Sequence, residues 1–292
     1  MIHRVFWTIL SVLAFFSGGL HANLRAPYHR WFYSPGFFTG RISVVVEKET
    51  LRIDCDAPYE GDVSEVISLV RFCRVEAIYS VKSSGAERSR VEFILPGKSS
   101  VKLESGPSPG GVFTPGSSEE KEAQPGPAGL SGIFPGRADE TWNPDSDVQQ
   151  LFVADFPLTL NAGENQIRVT YTSPVSTDEI EYGYFTTSRW LSSLTYELWP
   201  IREWTLSKDF FIDLRVSIER DSSLFPGLFG RAMEIRLFGS AKNGNTEQAL
   251  ATKCEQADNR YFCQTELHGF PDRLHVRMGR QRDLRSRSPG NR

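Results

Sequence analysis

The stretch Phe156-Pro157-Leu158-Thr159-Leu160-Asn161-Ala162-Gly163-Glu164-Asn165-Gln166-Ile167-Arg168-Val169-Thr170-Tyr171 decides how the chain is read. Phe156, Leu158 and Leu160 alternate, Asn161 to Glu164 carries turn chemistry, and Ile167, Val169 and Tyr171 alternate back. Successive side chains of a strand point to opposite faces, so this is the pattern of two half-buried strands joined by a tight turn.

The same pattern continues on both sides. Upstream, Ile42 to Val46 is β-branched and a second strand carries Leu51 and Ile53. Val75, Ala77, Tyr79 and Val81 then alternate, Gly85 marks a turn, and Val91, Phe93 and Leu95 alternate again, which predicts a hairpin with one apolar face. Downstream come Leu194, Tyr196 and Leu198, then Phe210 through Ile218, then Met233, Ile235 and Leu237, and finally Leu274, Val276 and Met278. Helical signal is confined to Asp62-x-x-Glu65 with Val63, Val66, Ile67 and Val70 on one face, so at most one short helix is expected, near residues 62–70. Short alternating strands separated by Gly, Pro and Asn turns predict an all-β chain. The expected organisation is two antiparallel β-sandwich-like units, residues 23–205 and 206–279.

Residues 104–137 break the pattern. Fourteen of these 34 positions are Gly or Pro and the apolar ones have no period, so the segment is expected to be a disordered insertion in the first unit.

The chain has 292 residues, a formal net charge of −3, 39% hydrophobic and 24% charged residues. That balance is an ordinary folded surface and excludes a disordered polymer or a multispanning membrane protein. His3 and Arg4 precede a short apolar run, Val5 to Phe16, and Leu20-His21-Ala22 offers a cleavage site; residues 1–22 therefore read as a signal peptide, too short in its apolar part to span a bilayer. No transmembrane span is expected in the mature chain. Near the other end, Arg273, Arg277, Arg280, Arg282, Arg285, Arg287 and Arg292 face only Asp272 and Asp283, leaving an acidic body with a basic tail. Residues 280–292 are expected to be disordered, and since no aromatic residue interleaves with their arginines, nucleic acid is not an expected partner.

Four cysteines, Cys55, Cys73, Cys254 and Cys263, follow the signal, and an even exported set is read as disulfides. If Asp258-Asn259 is a two-residue hairpin turn, counting outward sets Cys254 opposite Cys263 in a non-hydrogen-bonded pair, where the Cα atoms lie close enough for a disulfide. Cys55–Cys73 is then the second bond. The spacings match neither a zinc knuckle nor a Cys-x-x-Cys redox pair.

No Gly-x-Ser-x-Gly, His-Glu-x-x-His, P-loop or dinucleotide-binding motif is present, so no catalytic residue is assigned. His29 falls in an aromatic cluster, His268 near a turn, and His275 on the polar face of a strand. Asn143, Asp145 and Asp147 resemble the start of a calcium loop, but Val148 and Ala154 stand where an EF-hand needs Gly and an acid, which leaves only a looser calcium site there. Trp190, Trp199 and Trp204 cluster around one strand and form a possible ligand surface.

The resulting expectation is an exported, periplasmic or secreted, non-enzymatic protein that binds or scaffolds at the cell envelope or outside the cell, with an envelope or extracellular protein or a glycan as partner. The absence of any Asn-x-Ser/Thr site fits a bacterial setting. The alternative is a carbohydrate-binding or carbohydrate-active protein using the Trp190–Trp204 region with the acids Asp178, Glu179 and Glu181.

Overall fold

The computed structural model describes residues 23–24, 44–56, 72–95, 99–125, 152–181, 189–198, 201–202, 204–219, 233–241, 247–257, 260–280 and 284. The alternating segments form strands: β1 (Asn23–Leu24), β2 (Val44–Cys55), β3 (Phe72–Ser83), β4 (Glu87–Leu95), β5 (Ser100–Pro107), β6 (Ser117–Glu122), β7 (Gln124–Pro125), β8 (Phe152–Leu160) and β9 (Gly163–Pro174). They continue with β10 (Ser176–Glu181), β11 (Arg189–Glu197), β12 (Thr205–Glu219), β13 (Met233–Ser240), β14 (Glu247–Ala249), β15 (Lys253–Ala257), β16 (Arg260–Leu267) and β17 (Arg273–Arg280). Pro109–Gly111 forms a 3₁₀ turn, and among the described residues no helix is long and apolar enough to cross a membrane.

The protein is all-β, in three sheets. An eight-stranded sheet has the order β15-β16-β12-β2-β3-β9-β5-β6, a five-stranded sheet β10-β11-β17-β13-β14, and a four-stranded sheet β1-β4-β8-β7. Among the described residues all strand pairs are antiparallel except β2 with β12, which run parallel. One apolar core draws on all three sheets: Leu51, Val169 and Leu214 from the first, Leu194, Leu237 and Val276 from the second, Phe93 and Phe156 from the third.

Two expected hairpins are not hairpins. β3 pairs with β2 and β9 rather than with β4, and β8 pairs with β4 and β7 rather than with β9. The strands form one long two-stranded ribbon that passes from the eight-stranded sheet into the four-stranded one. Ser83 opposite Gly163 ends its first half and Glu87 opposite Leu160 begins its second. Alternation marks a strand with one buried face but not the neighbour it pairs with, so a corner and a hairpin leave the same local pattern.

The corner is built by polar side chains. Gly163 sits at φ +95°, in the region that L side chains rarely adopt. Asn165 is buried, accepts a hydrogen bond from the Asn161 backbone N–H at 2.9 Å, and donates to the carbonyls of Asn161 and Gly163 at 2.8 and 2.9 Å. On the other strand the Ser83 hydroxyl donates to the Gly85 carbonyl at 2.7 Å.

The division expected at residues 205/206 runs through a sheet. β12 begins at Thr205 and carries on beside β2, so the eight-stranded sheet contains strands from both expected units. The Gly/Pro-rich segment also differs from expectation over 104–125. Glu104 to Pro107 complete β5, and β6 pairs back on it from Ser100 opposite Glu122 to Ser105 opposite Ser117. Gly106 is required there: a Cβ would lie 2.2 Å from the Thr114 carbonyl oxygen. β6 escaped the sequence reading because its Ser-Ser-Glu-Glu-Lys-Glu is a charged edge strand, a composition that blocks further pairing and has no apolar row. Residues 126–137 lie outside the described residues, as do 1–22 and the expected helix at 62–70. At the other terminus, Arg280 closes β17 and Leu284 is buried, its carbonyl accepting from Arg236 Nη1 at 3.4 Å, so apolar burial reaches into the expected disordered tail.

Candidate functional site

The feature that stands out from the packing is a carboxyl group in the core, and a register fault places it there. In β2, Val44 and Val46 face inward; Val46 pairs with Val81, yet Lys48 pairs with Ser80, which leaves Glu47 as an extra residue. A bulge of this kind reverses the alternation. Beyond it, Glu49, Leu51, Ile53 and Cys55 face inward, and Glu49 is 0% exposed. β12 is irregular at the same level, between Leu206 and Phe211.

Three tyrosines act on this acid, and a tryptophan stacks on one of them. Tyr79 lies directly opposite Glu49 on β3 and hydrogen-bonds its side chain. Its ring stacks on Trp204, with centroids 6.2 Å apart and planes within 6°. From the five-stranded sheet, the Tyr196 hydroxyl on β11 reaches across and donates to Glu49 Oε1 at 3.4 Å. Tyr171, on β9, is near enough to feel the charge of Glu49. The second carboxyl oxygen, Oε2, and the Trp204 indole N–H are buried and have no hydrogen-bond partner.

Burial pushes Glu49 up to about 8, against the opposing hydrogen bonds of Tyr196 and Tyr79. Burial also drives the Tyr171 and Tyr196 hydroxyls upward, and the neighbouring Glu49 adds to both. At neutral pH Glu49 is an uncharged acid beside the protonated phenols of Tyr171 and Tyr196. Enclosed in this way, the carboxyl can hold or release a proton, but a substrate cannot touch it in this conformation.

The sequence-selected residues fall elsewhere. Cys55 and Cys73 are opposite one another on β2 and β3, Cys254 and Cys263 on β15 and β16, and both pairs are disulfide-bonded with Cα atoms 4.0 Å apart. The Cys254:Cys263 register is the one obtained by counting out from Asp258-Asn259. Trp204 is 6% exposed and stacked inside the core, so it offers no face to a ligand. The backbone register sets Asp178 opposite Leu191, Glu179 opposite Trp190 and Glu181 opposite Arg189; the side chains of these acids and of Trp190 and Trp199 lie outside the described residues. Asn143, Asp145, Asp147 and His29 also lie outside them. Among the described residues no group of three His, Cys, Asp or Glu side chains could hold a metal ion.

His275 bridges three neighbouring strands, with Nδ1 3.1 Å from the Thr195 hydroxyl and Nε2 2.9 Å from that of Ser240. Outside the eight-stranded sheet, charges of alternating sign run across four strands: Arg52 to Glu76 at 3.2 Å, Glu76 to Arg168 at 3.6 Å, Arg168 to Glu104 at 3.8 Å and Glu104 to Lys102 at 2.8 Å. Arg215 lies over the Phe262 ring and Lys48 over Phe211 on the same sheet. Glu49 itself was missed in the sequence because Glu47-Lys48-Glu49-Thr50 reads as a polar break between two strands. The available signal was the change of phase from Val44 and Val46 to Leu51 and Ile53, which requires a bulge and puts position 49 in the inward row.

No protein-family model matches the chain, and no curated protein matches it. Among solved structures, the chain aligns with a "putative nutrient binding protein" from Legionella pneumophila subsp. pneumophila str. Philadelphia 1, at 10% identity and a TM-score of 0.44, over 89% of this chain and 71% of that one.

Proposed function

We propose that the chain is an exported, non-enzymatic protein that binds a partner at the cell envelope or outside the cell. The observation that carries the export half is the pair of cross-strand disulfides, which use all four cysteines and persist in an oxidising compartment. The apolar leader at residues 1–22 agrees with it. For the binding half, the support is how the reactive groups are engaged. Among the described residues the one fully enclosed acid, Glu49, is out of reach of solvent, His275 has hydroxyls at both ring nitrogens, and the acids and bases over the eight-stranded sheet pair with each other. In this reading, recognition falls to the charged outer face of that sheet, and the partner is an envelope protein or glycan bearing both signs of charge.

The test takes the mature chain, residues 23–292, against an array of envelope components and glycans, beside a variant carrying Arg52→Glu and Arg168→Glu. Binding that the double variant loses supports the assignment; binding that it retains in full refutes it for this face. Amino-terminal sequencing of the exported product should give Asn23, and a product beginning at Met1 contradicts cleavage.

A further inference from the structure

Glu49 belongs to the eight-stranded sheet, and the hydroxyl that meets it belongs to Tyr196 of the five-stranded sheet. Tyr196 therefore makes polar contacts across the inner faces of the two sheets, to Glu49 and to Tyr79 of the eight-stranded sheet, amid apolar side chains such as Leu51, Leu194 and Val276. The contact to Glu49 is loose. The bond is 3.4 Å long, and Oε2 and the Trp204 N–H beside the Tyr79 stack have no partner. A structural pin would have its hydrogen bonds complete, because each buried unmet group lowers stability. From these observations we propose that Glu49 is a proton-operated latch between the eight-stranded and five-stranded sheets, closed while its carboxyl carries a proton and open once the proton leaves.

The physical step is a change of solvation. The uncharged acid tolerates an apolar surrounding, whereas a carboxylate enclosed at 0% exposure does not. The ionisable groups that act on it are Tyr79 from β3 and Tyr196 from β11, and Tyr171 from β9 stands within reach of its charge. Burial holds the Tyr171 and Tyr196 phenols protonated through the range near pH 8 in which Glu49 titrates, and no cationic side chain is among the groups that shift it. Tyr79 and Tyr196 can donate to the carboxylate, but burial outweighs them. Water must then enter, and the contact across which it enters is the one between β2 and β11. The bulges flanking Glu47 are where β2 and β12 are already out of register, so the strands can yield there without breaking a continuous ladder.

Hydrogen exchange of the full disulfide-bonded chain tests this, with protection factors corrected for the intrinsic pH dependence of exchange and followed from about pH 6.5 to about pH 9.5. The expected result is a loss of protection in β11 of roughly tenfold or more, centred near pH 8, while β4 and β8 hold. Glu49→Gln should keep β11 protected within about twofold over the same range. Tyr196→Phe removes a bond that favours the charged form, so its transition should move to higher pH; this variant decides the matter where the glutamine variant does not fold. The same transition in Glu49→Gln, no transition in the native chain, or an unmoved midpoint in Tyr196→Phe would overturn the latch.

Discussion

Asn165 and Glu49 are both polar, both buried in the same apolar core, and opposite in how they are accommodated. Asn165 makes three hydrogen bonds to the backbone of the turn it anchors, at 2.8–2.9 Å. Glu49 accepts a long bond from Tyr196 and one from Tyr79, and its Oε2 has none. Completed bonds make a buried amide part of the architecture, fixing the corner where the ribbon changes sheets. An incomplete set makes the buried acid sensitive to its own protonation state. The difference comes from the backbone: the corner brings carbonyls and an N–H to Asn165, whereas the bulge turns Glu49 toward side chains on other strands.

The largest effect expected from this contrast is in the pH dependence of stability. The folded state holds the Glu49 proton up to about 8, against an ordinary value of 4.5. Its contribution is therefore fully present below 4.5 and is lost as pH rises through about 8. Between these limits the native chain should lose about 1.4 kcal/mol per pH unit relative to Glu49→Gln in paired denaturant titrations. Parallel curves would remove the basis of the contrast.

The corner comes next. Asn165→Ala leaves the Asn161 N–H and the Asn161 and Gly163 carbonyls of a part-buried turn without their side-chain partner, and should cost about 2 kcal/mol by the same titrations at any pH in that range. A cost that varied with pH would mean the two sites are coupled.

The disulfides sharpen the comparison from another side. Cys55 and Cys73 are both buried, whereas Cys254 sits on the fully exposed edge strand β15. Mild reductant should open Cys254–Cys263 first, costing about 2.5 kcal/mol on the chain-entropy account, and mass mapping of alkylated peptides reads the order. Removing Arg52 and Glu76 together, an ion pair on the solvated face, should change stability by less than about 0.5 kcal/mol in thermal denaturation.

What the sequence made legible follows the same division. Strands were legible because Ile167, Val169, Tyr171 and their like alternate, and one disulfide register was legible because a two-residue turn leaves a single way to count. Pairing partners were not, since the turn at Gly85 and the one at Asn161–Glu164 look alike whether a chain reverses or rounds a corner. β6 was hidden because an edge strand needs charge rather than apolar residues. Glu49 was hidden because its inward direction depends on one inserted residue, Glu47, and neither its own identity nor its neighbours announce burial. The tryptophan cluster misled at Trp204 for the converse reason: aromatic residues near a strand serve a core as readily as a ligand.

The most direct measurement is the titration of the Glu49 carboxyl itself, followed by side-chain carbon-13 chemical shift in the folded, disulfide-bonded chain and assigned by its absence in Glu49→Gln. A midpoint near pH 8 is the expected result. A midpoint near the ordinary 4.5 would contradict the account, because it would mean that the carboxylate is charged and solvated in the native protein.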